Sequence, residues 1–513
     1  MTECGKVWLA GAGPGDAGLL TVKTRQLLCE SDVVVYDALV SEEILCQIPD
    51  HVERIYVGKR SGHHSVPQEE INAILLREAQ KGKRVLRLKG GDPFIFGRGG
   101  EELELLVKHQ IPYEIVPGVT SASAVPAYAG IPVTHRDFTS SFHVITGHPR
   151  KGGKLQIDFD ALVRLNGTLI FLMGITAMES ICRGLLEAGM EPDMPAAVLE
   201  RGTTAAQRSI VSDVENLPRE AKKAGIGMPA IIVVGKVCQL EKQFHWVKQR
   251  VLGGRQFLIT RPRQHSSTLA WKLRDLGAQV LELPAIRTEP IDPNPELFAA
   301  LERFGTRAES WLVFTSPIGV TTFFEQLEKQ AWDIRKLFRK ETELRIAAIG
   351  SATGQALRQF GMIADLVPEV YDAGHLGRSI AQAAKPGSEV LIVRAKDGSE
   401  ALLPPLLDAG LVVQDVALYE TVCELHEAFH DAIVNTFHSG AVDAVTFTSA
   451  STVRGFVQSM KLTDYTDIQA VCIGKQTAKE AERYGMQVHI SDQATMDSLV
   501  EKICSLYGKG EHV

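Results

Sequence analysis

Short runs of β-branched and other apolar residues recur along the whole chain, and longer segments with helical periodicity separate them. A buried strand needs only about four to eight such residues, whereas apolar residues at i, i+3 and i+4 predict an amphipathic helix. This alternation predicts an α/β protein with largely parallel sheets. The predicted strands are VVVY (33–36), VLRL (85–88), TLIFLM (168–173), AIIVVG (230–235), FLIT (257–260), VLIV (390–393) and AVTFT (444–448).

The chain length and the net charge favour a multidomain protein without a general affinity for polyanions. A chain of 513 residues is too long for one core, and its 55 basic and 62 acidic residues give a formal charge of -7. The eight cysteines never form C-x-x-C and His63 and His64 are adjacent, so we expect neither a metal site nor a disulfide framework. The chain starts without a signal-peptide pattern and has no long apolar run, so we expect a cytoplasmic protein without nucleic-acid or membrane partners.

The second half of the chain repeats itself. FTSPIGVTTFF at 314 matches FTSASTVRGFV at 447, and IGSATGQALRQFGM at 349 matches IGKQTAKEAERYGM at 473. The first offset also aligns LITR (258–261) with LIVR (391–394), so the copies are interleaved in the order A, B, A′, B′. We expect two similar α/β lobes, one of them discontinuous, with a ligand in the cleft between them. The polar segment 243–254 before this half is the predicted linker.

A glycine-rich turn follows the first predicted strand. GAGPGDAG fits the dinucleotide fingerprint G-x-G-x-x-G at Gly13, Gly15 and Gly18, and Asp37 lies where a dinucleotide-binding unit places its ribose-binding acid. An NAD-dependent dehydrogenase is therefore one interpretation. Pro14 counts against it, because proline removes an amide donor that a pyrophosphate cradle would use.

A second glycine-rich loop, LKGGDPFIFGRGGEEL (88–103), also follows a strand. Two such loops let the backbone approach one flat ligand from two sides. Together with VVYD, VGKR, PQEEIN, PGVTSAS, GIPVTHRD and FLMG, the two loops resemble uroporphyrinogen-III C-methyltransferase over residues 5–240. The resemblance implies a tetrapyrrole-methylase fold of two α/β lobes (1–116 and 117–242), a homodimer through this half, and a pocket for S-adenosyl-L-methionine instead of NAD.

The resemblance also assigns roles by motif position. It implies two successive methyl transfers to uroporphyrinogen III, with Asp37 as proton acceptor and Lys59 as proton donor. Because the chain begins at the methyltransferase strand, we expect the product to be precorrin-2. The implied cofactor contacts are Pro14, Gly90, Gly91, Asp92, Ile95, Thr120, Ser121, Met173 and Gly202. The cationic candidates for the substrate's carboxylates are Arg98, His135, Arg136 and Arg150.

The repeated half (255–508) resembles uroporphyrinogen-III synthase in its FTS turns, its strand-end arginines and VALYETV (416–422). This implies two linked lobes (255–290 with 421–508, and 291–420) that cyclise hydroxymethylbilane with inversion of ring D and without a cofactor. A tetrapyrrole-binding module without catalysis is the alternative. Candidate substrate-binding hydroxyls, which ordinary strand-end caps would also explain, are Thr315, Ser316, Thr448, Ser449 and Thr477.

One position breaks the internal symmetry. At the first offset Tyr419 aligns with Ile286, so the two copies differ there by a phenol. The resemblance likewise implies that Tyr419 assists loss of the substrate hydroxyl, and a buried core tyrosine is the alternative.

Because the linker is polar and each half has its own strands, we expect residues 1–242 to methylate supplied uroporphyrinogen III without the rest of the chain.

Overall fold

The computed structural model describes residues 5–49, 51–58, 66–148, 155–261, 263–338, 342–424 and 430–509. Among the predicted site residues, Lys59 and Arg150 lie outside these ranges, as do His63 and His64. The described residues form four sheets of five strands each. The chain divides into unit 1, residues 1–285 and 425–513, and unit 2, Ile286–Glu424.

The first sheet is entirely parallel, with strand order β3-β2-β4-β1-β5. Its elements are β1 (Lys6–Gly11), α1 (Val22–Glu30), β2 (Val33–Tyr36), α2 (Glu42–Leu45), β3 (Glu53–Tyr56), α3 (Gln68–Gln80), β4 (Arg84–Lys89), α4 (Gly99–Lys108) and β5 (Tyr113–Val116). Successive residues of β2 face different cores: Val33 and Val35 pack with α3, whereas Val34 and Tyr36 pack with α1 and α2. Burial on both faces explains why VVVY is a continuous apolar run.

The second sheet has the order β6-β7-β10-β8-β9, and only β6 and β7 are parallel. Its elements, after α5 (Ser121–Tyr128), are β6 (Phe142–Thr146), α6 (Phe159–Leu165), β7 (Thr168–Leu172), α7 (Met178–Glu187), β8 (Pro195–Glu200), β9 (Arg208–Asp213), α8 (Leu217–Lys223) and β10 (Ala230–Val234). The prediction of largely parallel sheets is wrong here. The loop 201–207 is too short for a parallel crossover, and a strand covered on both faces does not reveal its direction in its composition.

The remaining strands form one sheet in each unit. After the short helices α9 (Glu241–Phe244) and α10 (Trp246–Gln249), they are β11 (Gln256–Ile259), β12 (Gln279–Glu282), β13 (Ile286–Pro290), β14 (Glu309–Phe314), β15 (Glu343–Ala348), β16 (Glu389–Ala395), β17 (Val412–Cys423), β18 (Ala444–Phe447), β19 (Gln469–Cys472) and β20 (Gln487–Ile490). The accompanying helices are α11 (Arg263–Asp275), α12 (Pro295–Arg303), α13 (Pro317–Lys329), α14 (Ser351–Gln359), α15 (Ala373–Ala383), α16 (Leu403–Asp408), α17 (His430–His438), α18 (Ala450–Met460), α19 (Lys475–Glu482) and α20 (Met496–Tyr507).

The pairing of these strands explains the interleaved repeat. In unit 1 the parallel order β12-β11-β18-β19-β20 combines the start of A (β11 and β12) with the end of A′ (β18) and with the strands on either side of B′ (β19 and β20). In unit 2 the order β13-β17-β16-β14-β15 combines the end of A (β14) and the strand before B (β15) with the start of A′ (β16 and β17), and β13 alone runs antiparallel to its neighbour. Each sheet therefore contains strands from both copies. The α/β prediction with one discontinuous lobe is confirmed.

Within unit 1 the methyltransferase-like sheet shares a hydrophobic core with the discontinuous lobe. Ile44 and Leu45 of α2 belong to the same buried cluster as Leu281 and Leu283 at the end of β12, and α2 packs directly on β12. Full burial of one such side chain contributes about 1.5–3 kcal/mol. The expectation of two halves that are joined only by a linker therefore differs from the structure.

The predicted linker, 243–254, is itself packed. The Trp246 indole N–H donates to the Ala127 carbonyl at 3.0 Å, and its ring meets Tyr128 edge-on. Leu252 is completely buried in the core of the discontinuous lobe. The segment thus attaches to both of its neighbours despite its polar composition. Among the described residues no helix is long and apolar enough to cross a membrane.

Candidate functional sites

The two glycine-rich loops of the first half meet through their backbones. Gly13 and Gly91 form an isolated antiparallel bridge, with N–H to O distances of 3.2 and 2.7 Å between donor nitrogen and acceptor oxygen. Both residues have positive φ, +73° and +67°, which favours glycine. A Cβ on Gly118 would lie 2.2 Å from the Gly91 oxygen, and one on Gly11 would lie 2.4 Å from the Gly118 Cα. Three chain segments therefore approach more closely than side chains would permit.

Asp92 ties this contact together. Its Oδ2 accepts from the Gly118 amide at 2.9 Å, and its Oδ1 accepts from the Phe94 amide at 2.8 Å. Thr120 caps α5 by accepting from the Ala122 amide at 3.3 Å, and Ser121 is the first residue of that helix. The Asp92 carboxylate thus holds the 88–103 loop against the segment that leads into α5.

The glycine turn also contacts the second lobe. A Cβ on Gly15 would lie 2.8 Å from Thr204 Cγ2, and the Asp16 amide donates to Thr203 Oγ1 at 3.2 Å. Gly202 packs on α5, where an added Cβ would lie 2.2 Å from Val125 Cγ1. The glycine turn of the first lobe therefore lies directly against residues 202–204 of the second lobe.

The remaining implied cofactor contacts lie on the surface or beside these loops. Pro14 is half-buried within the turn, and a Cβ on Gly90 would lie 2.5 Å from Leu39 Cβ. Ile95 is exposed and follows Asp92 in the loop, while Met173 is half-exposed at the end of β7 with a φ of +55°. Their predicted role in binding a cofactor remains a prediction.

Asp37 follows β2 and is oriented by a buried arginine. Its Oδ2 accepts from Arg87 Nη2 at 3.0 Å, and its Oδ1 accepts from the Leu39 amide at 3.1 Å. Arg87 itself is 2% exposed, and its Nε lies 3.3 Å from Glu102 Oε1. The same oxygen accepts from Lys89 Nζ at 2.5 Å. Burial lowers the pKa of Lys89, and the nearby Arg87 charge lowers it further.

This Arg87–Glu102–Lys89 network was not predicted from the sequence. The available signal is in RVLRLK, where two cations alternate with leucine inside an otherwise buried strand. A buried charge is costly unless it is paired, so cations in such a strand predict an acidic partner from a covering helix. Glu102 of α4, which is completely buried, is that partner.

The described members of the predicted set of substrate-binding cations are Arg98, His135 and Arg136. Arg98 is exposed and bound to Glu101, with Nε 2.9 Å from Oε1. His135 Nδ1 accepts from the Asp137 amide at 3.2 Å, and Arg136 is exposed. Their part in substrate binding stays a prediction.

In unit 2 two predicted residues meet directly. Ser316 follows β14 and Thr315, and its Oγ lies 2.8 Å from the phenol oxygen of Tyr419 in β17. Ser316 also caps α13 by accepting from the Gly319 amide at 2.9 Å. Tyr419 is 6% exposed, and burial raises the pKa of its phenol. Tyr419 is thus a core residue whose phenol oxygen is hydrogen-bonded to the Ser316 hydroxyl at the end of β14.

The corresponding turn in unit 1 has the same local structure. Ser449 caps α18 by accepting from the Thr452 amide at 3.2 Å, and Thr452 Oγ1 accepts from the Ser449 amide. Thr448 before it is half-buried, and Thr477 in α19 is 5% exposed. The helix cap and a 2.8 Å hydrogen bond to Ser451 Oγ therefore account for the observed side-chain contacts of Ser449.

Of the strand-end arginines, Arg394 is neutralised by Asp415. Arg394 Nε and Nη2 lie 2.8 and 2.6 Å from the two carboxylate oxygens, and Nη1 donates to the Ser399 carbonyl at 2.6 Å. Its repeat partner Arg261 lies 3.0 Å from Met496 Sδ, and burial lowers the pKa of Arg261. The aligned arginines therefore have different surroundings.

Two families match successive parts of the chain. The family Tetrapyrrole (Corrin/Porphyrin) Methylases matches residues 6–218, and Uroporphyrinogen-III synthase HemD matches residues 267–501. A uroporphyrinogen-III C-methyltransferase of Bacillus subtilis (strain 168) is 42% identical over 337 residues, 66% of this chain and 68% of the relative. A solved uroporphyrin-III C-methyl transferase of Thermus thermophilus, complexed with S-adenyl homocysteine, is 41% identical, with a TM-score of 0.40, and covers 46% of this chain and 100% of its own.

One relative matches the entire length. The porphyrin biosynthesis protein HemD of Ruminiclostridium josui is 46% identical over 508 residues, which is 99% of each chain. The chain therefore belongs to the family of the porphyrin biosynthesis protein HemD and joins a tetrapyrrole methylase segment to a uroporphyrinogen-III synthase segment.

Proposed function

We propose that this bifunctional tetrapyrrole biosynthesis enzyme catalyses two consecutive stages. The synthase segment cyclises hydroxymethylbilane to uroporphyrinogen III with inversion of ring D, and the methylase segment then methylates that product twice to give precorrin-2. The observation that carries the proposal is the presence of both matched segments in one chain, because the product of the first stage is the substrate of the second.

The residues of the methylase segment fit S-adenosyl-L-methionine better than a dinucleotide. When bound, this cofactor supplies a methyl group that a ring carbon takes as the C–S bond breaks. Adenosine and the amino-acid part need close backbone contact, and Gly91 leaves room for it, because a Cβ there would meet its nearest protein atom, the Ser121 nitrogen, only at 3.9 Å. Pro14 withholds an amide that a pyrophosphate would need.

Asp37 is the proposed proton acceptor in this stage. Each methylation leaves the ring with one proton to lose, and a carboxylate at the end of β2 accepts it. Arg87 fixes the orientation of that carboxylate through the 3.0 Å contact, which keeps the acceptor in place between the two transfers. Lys59, outside the described residues, is the proposed donor.

Tyr419 is the proposed acid of the synthase stage. Its phenol donates a proton as the C–O bond of the substrate breaks, so that the hydroxyl departs as water and ring closure follows. Burial keeps the phenol protonated beforehand, whereas the Ser316 hydrogen bond favours the phenolate that remains. The proposed substrate-binding hydroxyls are still those of Thr315, Ser316, Thr448, Ser449 and Thr477. We also propose a homodimer through the methylase segment, which analytical ultracentrifugation tests.

Two separate assays test the two stages. Hydroxymethylbilane alone should give type III uroporphyrinogen, whose isomer chromatography of the oxidised porphyrins identifies; binding without turnover would indicate a non-catalytic module. Uroporphyrinogen III with S-adenosyl-L-methionine should give the dimethylated product by mass. A melting temperature that rises with NAD and not with S-adenosyl-L-methionine would instead support a dehydrogenase.

A further inference from the structure

An arginine of the synthase segment reaches the segment of the methylase that carries Asp37. Arg274 lies in α11, and its Nε and Nη2 are 2.9 and 2.8 Å from Glu43 Oε1 in α2. Glu43 is 3% exposed, and a glutamate is rarely buried so deeply unless it has a charged partner. The ion pair therefore joins the two matched segments of the chain inside unit 1.

Arg274 is held firmly on its own side. Its Nη1 donates to Glu282 at 3.0 Å, and its Nη2 donates to the Val280 carbonyl at 3.2 Å. Its own carbonyl accepts from Arg250 at 3.0 Å. The guanidinium is thus fixed to β12 and offers Glu43 a rigid pair of donors.

The segment that carries Glu43 also lies beside the glycine turn. Ala17, which follows that turn, packs against the hydrophobic cluster that contains Ile44 and Leu45. Ser41, two residues before Glu43, donates to the Gly15 carbonyl at 2.6 Å. The segment that begins at Asp37 is therefore held against the glycine turn by the Ser41 hydrogen bond and by the packing of α2.

Packing around the ion pair supports the same connection. Ile44 and Leu45 flank Glu43 and are buried in one cluster with Leu281 and Leu283. An ion pair in such surroundings is costly to break from one side, because the remaining charge stays buried without compensation. While Glu43 is ionised, loss of Arg274 would therefore force Glu43, and α2 with it, to move.

We propose that Arg274 of the synthase segment is a positioning residue for the methylase site: it holds Glu43 and thereby the segment 37–45 that carries Asp37. The inference rests on the proposed function of Asp37. It makes the discontinuous lobe a structural part of the methylase site in this chain. A 1 Å displacement of a reacting group is enough to lower a rate by about two orders of magnitude, so the contact has catalytic consequences.

The test compares three variants of the full chain at pH 8. Arg274→Met should lower kcat for methylation of supplied uroporphyrinogen III by about tenfold or more, with a smaller change in KM. The double variant Glu43→Gln/Arg274→Met removes the stranded charge and should restore kcat to within about threefold. Lys272→Met is the matched control, because Lys272 lies on the same helix but pairs with the exposed Asp497 of the same lobe.

Amide hydrogen exchange supplies a readout that does not depend on turnover. Residues 37–45 should exchange about tenfold faster in Arg274→Met and recover in the double variant, while Lys272→Met resembles the wild type. Wild-type rates of methylation and exchange in Arg274→Met would overturn the proposal. So would loss of both enzymatic stages without recovery in the double variant, which would make Arg274 a general folding residue. If the wild type itself does not methylate, the proposed function fails, and the exchange pattern still decides whether Arg274 holds the segment.

Discussion

Replacing Tyr419 by phenylalanine separates catalysis from packing in the synthase segment. The substitution removes one oxygen, which lies 2.8 Å from Ser316 Oγ, and keeps the buried ring in β17. Ser316 retains its bond to the Gly319 amide, so the structural loss is one hydrogen bond, about 0.5–1.5 kcal/mol of stability. A positioned general acid contributes about 10²–10⁴ in rate, which is about 2.7–5.4 kcal/mol of barrier. The kinetic effect should therefore exceed the effect on stability.

The assay follows formation of type III uroporphyrinogen from hydroxymethylbilane, because unguided closure gives the type I isomer. Tyr419→Phe should slow type III formation by about 10²–10⁴ and leave methylation of supplied uroporphyrinogen III unchanged. Tyr465→Phe is the matched control, since that buried phenol donates to the Val457 carbonyl at 3.0 Å within a core. An unchanged rate and isomer ratio in Tyr419→Phe would remove Tyr419 from the mechanism and leave it a packing residue.

Four further substitutions test the methylase segment. Gly118→Ala should abolish binding of S-adenosyl-L-methionine in calorimetry, because its Cβ would lie 2.2 Å from the Gly91 oxygen. Gly91→Ala meets its nearest protein atom at 3.9 Å, so it should lower the free energy of unfolding by only about 1–2 kcal/mol through backbone strain. Glu102→Gln should lower the free energy of unfolding by about 3–5 kcal/mol in denaturant titrations, since it leaves Arg87 and Lys89 without their buried anion. Burial raises the pKa of Glu43 from 4.5 to about 7, so the folded state binds more protons at this group than the unfolded state. The melting temperature should therefore fall as pH rises from 4.5 to about 7. Glu43→Gln should make this fall less steep, and an equally steep fall in the variant would contradict the prediction.

Sequence patterns predicted the features that depend on neighbouring residues. The run VVVY became β2 because both of its faces are covered, and the FTS motifs became strand ends with a serine cap in both copies. The interleaved order of the repeats also predicted the discontinuous lobe, because a lobe that is built from both copies must include chain segments that are not consecutive. Each of these inferences needs only local periodicity, cap chemistry or the order of motifs.

Features that depend on distant residues were not predictable in this way. Ser316 and Tyr419 are far apart in the chain, and nothing in either motif places one beside the other. The polar composition of 243–254 suggested an open linker, yet Trp246 and Leu252 anchor it. The Arg274–Glu43 ion pair lies inside a core to which both segments contribute, so it depends on tertiary packing that no single motif records.

One coupled reaction tests whether this chain catalyses both ring closure and methylation. The full chain receives hydroxymethylbilane and S-adenosyl-L-methionine together, and the products are identified by mass and, after oxidation, by isomer chromatography. We expect a type III macrocycle that carries two added methyl groups, with singly methylated material as an intermediate that disappears. Recovery of only unmethylated type I product at the rate of the enzyme-free control would contradict it.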